Sequence, residues 1–253
     1  MLKMGEEYFQ NQGENNMKKK SRFKNWLINL LLLLLLLVGL GLTFNNQIKN
    51  FLIEKNGEKY AVSEVTAAEI EKNQQKPASF DFDAVVPSSS QAVFKAQFTN
   101  RDLPTIGGIA VPKVGINLPI FKGLANEALL WGAGTLEPNQ KMGEGNYALA
   151  SHRAYEPDLL FTPLERVKKG DVIYLTDLKN IYTYETKIIV RVQPTEVQYL
   201  DVIKGKKLVT LITCGEIEGI TRTIVQGELK EVTPVNKATK DMRDAFLLKS
   251  KTY

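Results

Sequence analysis

The 253-residue chain has a single cysteine, Cys214, and a single histidine, His152. One cysteine excludes an internal disulfide and any zinc cluster built on several thiolates. One histidine excludes a multi-histidine metal site. No repeat with a period of 20–50 residues is present, which excludes solenoids and propellers. An excess of one charge sign is also scarce once position is considered. The 33 basic and 28 acidic residues give +5, but residues 1–24 alone hold six basic and three acidic side chains, and residues 25–44 hold none. The basic balance therefore describes a short N-terminal tail, and no nucleic-acid partner is expected. What is abundant is apolar: 43% of residues are hydrophobic and 24% charged, enough for a packed core and too apolar for full-length disorder.

The longest apolar run is Trp26 to Phe44, in which Asn29 is the one clearly polar member. At ~1.5 Å per residue a helix of this length spans roughly 28 Å, close to the ~30 Å of bilayer hydrocarbon. Lys18-Lys19-Lys20-Ser21-Arg22-Phe23-Lys24 directly precedes it. Basic residues stay on the cytoplasmic side, so the N-terminus is expected inside and the rest of the chain outside. A cleaved signal peptide has the same outline, but Asn45-Asn46-Gln47 makes a poor small-residue cleavage site. The expected organisation is a basic cytoplasmic tail over 1–25 and an uncleaved transmembrane anchor over 26–44. Met17-Lys18-Lys19-Lys20 has the look of an ordinary start, which would make residues 1–16 an extension.

Residues 45–100 read as an extracellular linker with helical segments, loosely packed on the globular domain C-terminal to it. Thr66 with Glu69 three residues on is a capping-box signature, Pro77 ends that helix, and a second helical stretch runs from about Gln91 to Phe98. From residue 101 to 234 short apolar runs alternate with Gly and Pro, as in Ile106-Gly107-Gly108-Ile109 and Ile116-Asn117-Leu118-Pro119. Asn146 to Ser151, Asp171 to Thr176, Ile181 to Val192, Leu208 to Cys214 and Thr223 to Val232 read as strands, with small helices near Asn126, Leu160 to Val167 and Pro194 to Leu200. The expectation is a mostly β domain, a largely antiparallel barrel with helical insertions. Residues 235–253 form a basic C-terminal tail with a weakly amphipathic stretch from Met242 to Leu248.

Two single-copy reactive residues close apolar strands. Cys214 ends Leu208-Val209-Thr210-Leu211-Ile212-Thr213 and is followed by Gly215-Glu216; His152 ends Tyr147-Ala148-Leu149-Ala150-Ser151. A strand end opening into a loop can present a nucleophile. Taken singly, Cys214 could equally be an inert core thiol and His152 an ordinary surface imidazole.

Thr210-Leu211-Ile212-Thr213-Cys214 resembles the Thr-Leu-x-Thr-Cys signature of sortases. Arg222, eight residues on, sits where that family has its essential arginine, and His152 in Leu149-Ala150-Ser151-His152-Arg153 where it has its histidine. Leu160-Phe161-Thr162-Pro163-Leu164 and Pro194-Thr195-Glu196-Val197 are similar to the class A, housekeeping, members of streptococcus-like bacteria. The resemblance implies a closed sortase β-barrel of about eight strands. It implies transpeptidation at Leu-Pro-x-Thr-Gly (LPxTG) sorting signals of secreted proteins, cut between Thr and Gly through a cysteine thioester. The acceptor is an amine of a lipid-linked peptidoglycan precursor. Cys214 would be the nucleophile, His152 the proton carrier and Arg222 the oxyanion or substrate-backbone donor. Ala150, Val197, Ile212 and Thr213 would serve substrate binding, although their side chains also suit barrel core.

Some class A members bind calcium through acidic residues in the loop before the histidine strand. Here Glu137 and Glu144 are present but Gln140 falls near an expected acid, so no metal and no other cofactor is expected. Three alternatives stay open. A pilin-polymerising sortase would carry an aromatic Asp-Pro lid, and Asp81-Phe82-Asp83-Ala84 lacks the Pro. A hydrolytic cysteine peptidase of the same fold differs only in whether water resolves the acyl-enzyme. A catalytically silent membrane-anchored β-domain would need no reactive thiol.

Overall fold

A computed structural model describes residues 2–82, 84–99, 103–217 and 219–248, with side chains from residue 23 onward. Leu2–Thr43 forms one helix, α1. Within it Phe23–Thr43 has mean hydropathy 2.5 and no buried position, so it is long and apolar enough to cross a membrane. The side chains of the basic cluster before Phe23 lie outside the described residues.

The second compact unit runs from Lys49 onward. Its centre is an eight-stranded closed barrel. The strands are β1 (Thr105–Val111), β2 (Ile116–Phe121), β3 (Ala133–Thr135), β4 (Asn146–Ala150), β5 (Val172–Thr176), β6 (Asn180–Val192), β7 (Leu208–Cys214) and β8 (Arg222–Pro234). Around the barrel the order is β1-β2-β3-β4-β7-β8-β6-β5, closing back on β1. Pairing is antiparallel except for β2 with β3 and β4 with β7. Side chains alternate along each strand, so Ile109, Leu149, Ile173, Leu175, Val209, Leu211 and Val225 point inward and fill the barrel. A short helix, Asn126–Trp131, connects β2 to β3, and 3-10 turns at Thr162–Arg166 and Val197–Leu200 replace the helices expected there. Both are too short for a full α-helical turn to repeat, and Pro163 removes a backbone donor from the first.

The expectation of a loosely packed linker is not met from Ile53 onward. The helix Asn45–Lys59 (α2) contributes Ile53, and the helix Ser90–Gln97 (α4) contributes Val93 and Ala96, to a cluster with Phe121, Leu130 and Trp131. The intervening helix, Ala67–Gln74 (α3), carries the capping box expected from Thr66 and Glu69, with Thr66 Oγ1 accepting from the Glu69 N–H at 3.2 Å. Its Ile70 joins Val62 in another cluster, which also takes in Ala110, Leu178 and Ile181 of the barrel. The reason is visible in β1. A Cβ at Gly108 would stand 2.7 Å from Val62 Cγ1, so the glycine lets the N-terminal segment lie directly on the strand. The same cluster holds Val235, Met242, Phe246 and Leu248, so the C-terminal stretch is also folded onto the barrel, through a last short helix at Lys240–Asp244. Residues 249–253 of the expected basic tail, and Asp83 of the Asp81–Ala84 stretch, lie outside the described residues.

Because Ile53 and Ile70 are buried to the level of the barrel core, Ile53→Ala and Ile70→Ala should each cost about 2–4 kcal/mol, measured by chemical denaturation of the detergent-solubilised protein. A flexible tether would give changes within about 0.5 kcal/mol.

Candidate active site

The site is made by three strand ends meeting at one rim of the barrel. β4 and β7 are parallel neighbours in register from Asn146↔Leu208 to Ala150↔Ile212. The pairing continues past the last strand residues: Ser151 N–H donates to Ile212 O at 3.2 Å, and Thr213 Oγ1 donates to Ser151 O at 2.9 Å. His152 and Cys214 each lie two positions beyond the pair Ala150↔Ile212, so the two residues leave adjacent strands side by side. On the other flank β7 and β8 are antiparallel, and their terminal register pair is Cys214↔Arg222. Sixty-two positions of sequence separate the histidine from the cysteine, and the barrel closes that gap through one parallel pairing.

Cys214 is half-buried and free. Gly219, in the loop between Cys214 and Arg222, has φ +71°, a left-handed conformation that glycine adopts without penalty. A Cβ built there would lie 3.6 Å from Cys214 Sγ and 3.7 Å from Arg222 Nη1, so the sulfur and the guanidinium flank one point in space. Arg222 Nη1 donates to Gly219 O at 2.7 Å and to Thr221 O at 3.1 Å. These bonds fix the planar fork while leaving its other donors free. Gly219 does not stand out in the sequence, and the one signal that could have found it is a glycine inside the short Cys214–Arg222 loop.

His152 is 8% exposed, and its Nε2 has no hydrogen-bond partner among the described residues. Its backbone carbonyl is held by the Phe161 N–H at 3.3 Å. Burial, by removing water from the charged form, pushes the imidazole down to about 4. It is therefore neutral at physiological pH.

The expected groove residues fall in different places. Ala150 and Ile212 are almost buried, each in a small apolar cluster bordering Leu136. Val197 is 60% exposed on the 3-10 turn between β6 and β7. Thr213 is buried, and its hydroxyl is taken by the bond to Ser151 O, so it straps β7 to β4. A buried polar network, not visible in the sequence, holds the Val197 loop. Asn146 Nδ2 donates to Tyr199 O at 2.8 Å, Gln226 Nε2 donates to the same carbonyl at 3.1 Å, and Thr210 Oγ1 donates to Asn146 Oδ1 at 2.7 Å.

Among the described residues, no three His, Cys, Asp or Glu side chains converge as a metal-ligating group. Gln140 is committed to the backbone at both ends of its amide: Nε2 donates to Ala148 O at 2.9 Å, and Oε1 accepts from the Glu137 and Ala148 N–H groups, each at 3.3 Å.

Comparison with known proteins points to one family. The pattern of the family described as Sortase domain matches residues 109–230. "Sortase A" of Streptococcus agalactiae serotype III (strain NEM316) is 43% identical over 243 residues, which is 94% of this chain and 97% of that protein. "Sortase A" of Listeria monocytogenes serovar 1/2a is 38% identical over 215 residues, 85% of this chain and 95% of that protein. The solved structure of Listeria monocytogenes sortase A superposes with a TM-score of 0.53 at 41% identity, covering 58% of this chain and 99% of that one.

The buried imidazole has a consequence for pH dependence. In the unfolded chain His152 titrates near 6.5 and in the folded protein near 4. The folded state binds fewer protons in between, so stability is fully present above pH ~6.5 and is lost as pH falls toward 4, by about 3 kcal/mol in total. His152→Gln should flatten that part of the stability profile, read by chemical denaturation between pH 4 and 7. An unchanged slope would mean that other groups carry the acid sensitivity.

Proposed function

The chain belongs to the sortase family, and from that premise we propose that it anchors surface proteins to the cell wall by cysteine-borne acyl transfer at an LPxTG-type sorting signal. It is a class A member by its relatives. The reaction runs in two halves. The Cys214 thiol passes its proton to His152 and attacks the Thr carbonyl of the sorting signal. The tetrahedral intermediate carries a negative oxygen, for which Arg222 is the donor. Collapse breaks the Thr–Gly bond, the leaving Gly amine takes the proton from the His152 imidazolium, and a thioester remains on Cys214. In the second half an amine of the peptidoglycan precursor gives a proton to His152 and attacks the thioester, and the departing thiolate recovers that proton. A thioester suits this use because an amine resolves it readily.

The observation that carries this reading is the register of β7 with its two neighbours, which sets His152 on one side of Cys214 and Arg222 on the other. Each group has chemistry matched to its role. The neutral imidazole has an unprotonated ring nitrogen open to the thiol proton, and the guanidinium is a permanent cation with planar donors. Losing such a donor typically costs ~3–4 kcal/mol of transition-state stabilisation. The reading assigns no metal or other cofactor to the reaction, in keeping with a Gln140 amide already bonded to backbone at both ends. Exposed Val197 is the one of the expected groove residues that offers apolar surface to the Leu-Pro portion of the signal, while Ala150 and Ile212 are largely covered.

Localisation rests on the same kind of reasoning. The apolar part of α1 is a membrane anchor, and the basic run Lys18 to Lys24 before it argues for an N-terminus inside and a catalytic domain outside. Protein substrate and lipid-linked amine then share one membrane plane with the enzyme, which raises their effective concentration.

The test is mass spectrometry of the purified protein with a Leu-Pro-x-Thr-Gly peptide and hydroxylamine. The expected product is the Thr hydroxamate, absent with Cys214→Ala and reduced at least 100-fold with His152→Ala or Arg222→Ala. Hydroxamate formation that persists in Cys214→Ala would remove the thiol from the mechanism.

A further inference from the structure

Each of the three residues at the site is followed or preceded by a residue of one connected ion-pair network. Arg153 follows His152. Gly215 and Glu216 follow Cys214. Thr221 precedes Arg222. The hub is Glu165, on the 3-10 turn Thr162–Arg166. Its Oε2 accepts from Arg153 Nη2 at 3.0 Å, and its Oε1 lies 2.6 Å from Arg153 Nη1 as a close ionic contact. The same Oε1 accepts from Arg191 Nη2 at 2.8 Å. Arg191, on β6, reaches on to Glu216 Oε1 at 3.2 Å and to Gly215 O at 3.0 Å. Glu216 in turn accepts from the Thr221 N–H and hydroxyl at 2.8–2.9 Å, while the Gly215 N–H donates to Thr221 O at 2.9 Å. The chain of contacts therefore runs from the residue beside the histidine to both ends of the loop that joins the cysteine to the arginine.

None of these carboxylates or arginines belongs to the three groups assigned to the chemistry. Their value for overall stability is also small, since all four side chains are partly exposed and such pairs are screened by water and salt. Geometry is a different matter. A carboxylate that accepts charge-assisted hydrogen bonds from two arginines, Arg153 and Arg191, fixes the distance between the segments that carry them. A displacement of about 1 Å in a reacting group lowers rate by about 100-fold. The Arg153 guanidinium holds the Glu165 carboxyl below the ordinary carboxylate range, so the hub stays charged where the enzyme works.

We propose that Glu165 is a positioning residue, which sets the spacing between His152 and the Cys214–Arg222 loop by bracing Arg153 and Arg191 against one carboxylate. The inference rests on the catalytic assignment of His152, Cys214 and Arg222. Glu165 and Arg153 also border a cavity of about 250 Å³ with Tyr155, Arg166 and Ile217, so direct contact with the acceptor amine is the competing role, and the experiment separates the two.

The measurements are steady-state hydrolysis and transfer by the full-length enzyme in detergent, with a Leu-Pro-x-Thr-Gly peptide and a glycine-based amine, for Glu165→Gln, Arg191→Gln and the double variant, alongside thermal melts. A positioning role lowers kcat for hydrolysis about tenfold or more in Glu165→Gln. KM for the peptide stays within twofold and Tm within a few degrees, because acylation itself is slowed. The double variant then loses no more than the worse single variant, since both break the same brace. Glu165→Asp, which keeps the charge, recovers part of the rate. Wild-type hydrolysis with a raised KM for the amine alone would assign Glu165 to the acceptor and overturn the proposal. So would losses that multiply in the double variant, or a kcat loss matched by collapse of Tm in both single variants. If Cys214→Ala retains turnover, the catalytic assignment itself fails; if that variant is dead while Glu165→Gln has normal kcat, only the positioning role fails.

Discussion

The structure depends on one pairing above the others, the parallel alignment of β4 with β7. Parallel strands cannot be joined by a tight turn and need a long crossover. Here the crossover contains β5, β6 and their loops, which complete the other side of the barrel before the chain returns as β7. Because the two strands run the same way, their C-terminal ends open at the same rim, and His152 and Cys214 emerge there together. An antiparallel partner would have carried the histidine to the opposite end. The antiparallel β8 then works in the complementary sense, since its N-terminal residue, Arg222, lies opposite the C-terminal residue of β7. One parallel and one antiparallel neighbour on the two sides of a single strand are what assemble a three-residue site.

The rim is polar where the barrel interior is not, and that contrast shapes the chemistry. His152 sits at the margin of the core, deep enough to lose its hydration and stay neutral, and with Nε2 lacking a hydrogen-bond partner among the described residues. Arg222, by contrast, is already tied by two backbone carbonyls. The rim thus sets a guanidinium fixed by backbone carbonyls beside an imidazole whose charge state is set by burial.

The remainder of the second unit serves to hold this barrel closed. Segments before and after the strands, around Ile53, Ile70, Val93, Met242 and Phe246, pack onto the outside of the barrel and bury apolar strand faces that would otherwise meet water. Removing such surface from water is the dominant favourable term in folding. The segment that follows the apolar helix is accordingly a structural part of the catalytic unit. A barrel reduced to its strands would lack two of its hydrophobic clusters.

Much of this was legible in the residue string because it is local. The apolar run after Lys24, the capping box at Thr66, the strands ending at His152 and Cys214, and the Thr-Leu-Ile-Thr-Cys stretch are all signals carried by neighbouring residues. The packing of the 49–99 segment was not legible, since Ile53, Ile70 and Val93 look like ordinary members of short amphipathic helices until β1 and β2 offer them a surface. Nor was the Glu165 network, whose members Arg153, Glu165, Arg191 and Glu216 are spread over 64 positions and read singly as surface charges. By itself the sequence determined which residues can react and which segments can be apolar helix or strand, because those properties belong to side chains and short periodicities. Only the tertiary structure decided which of them meet, because strand direction and barrel closure, not distance along the chain, set which ends share a rim.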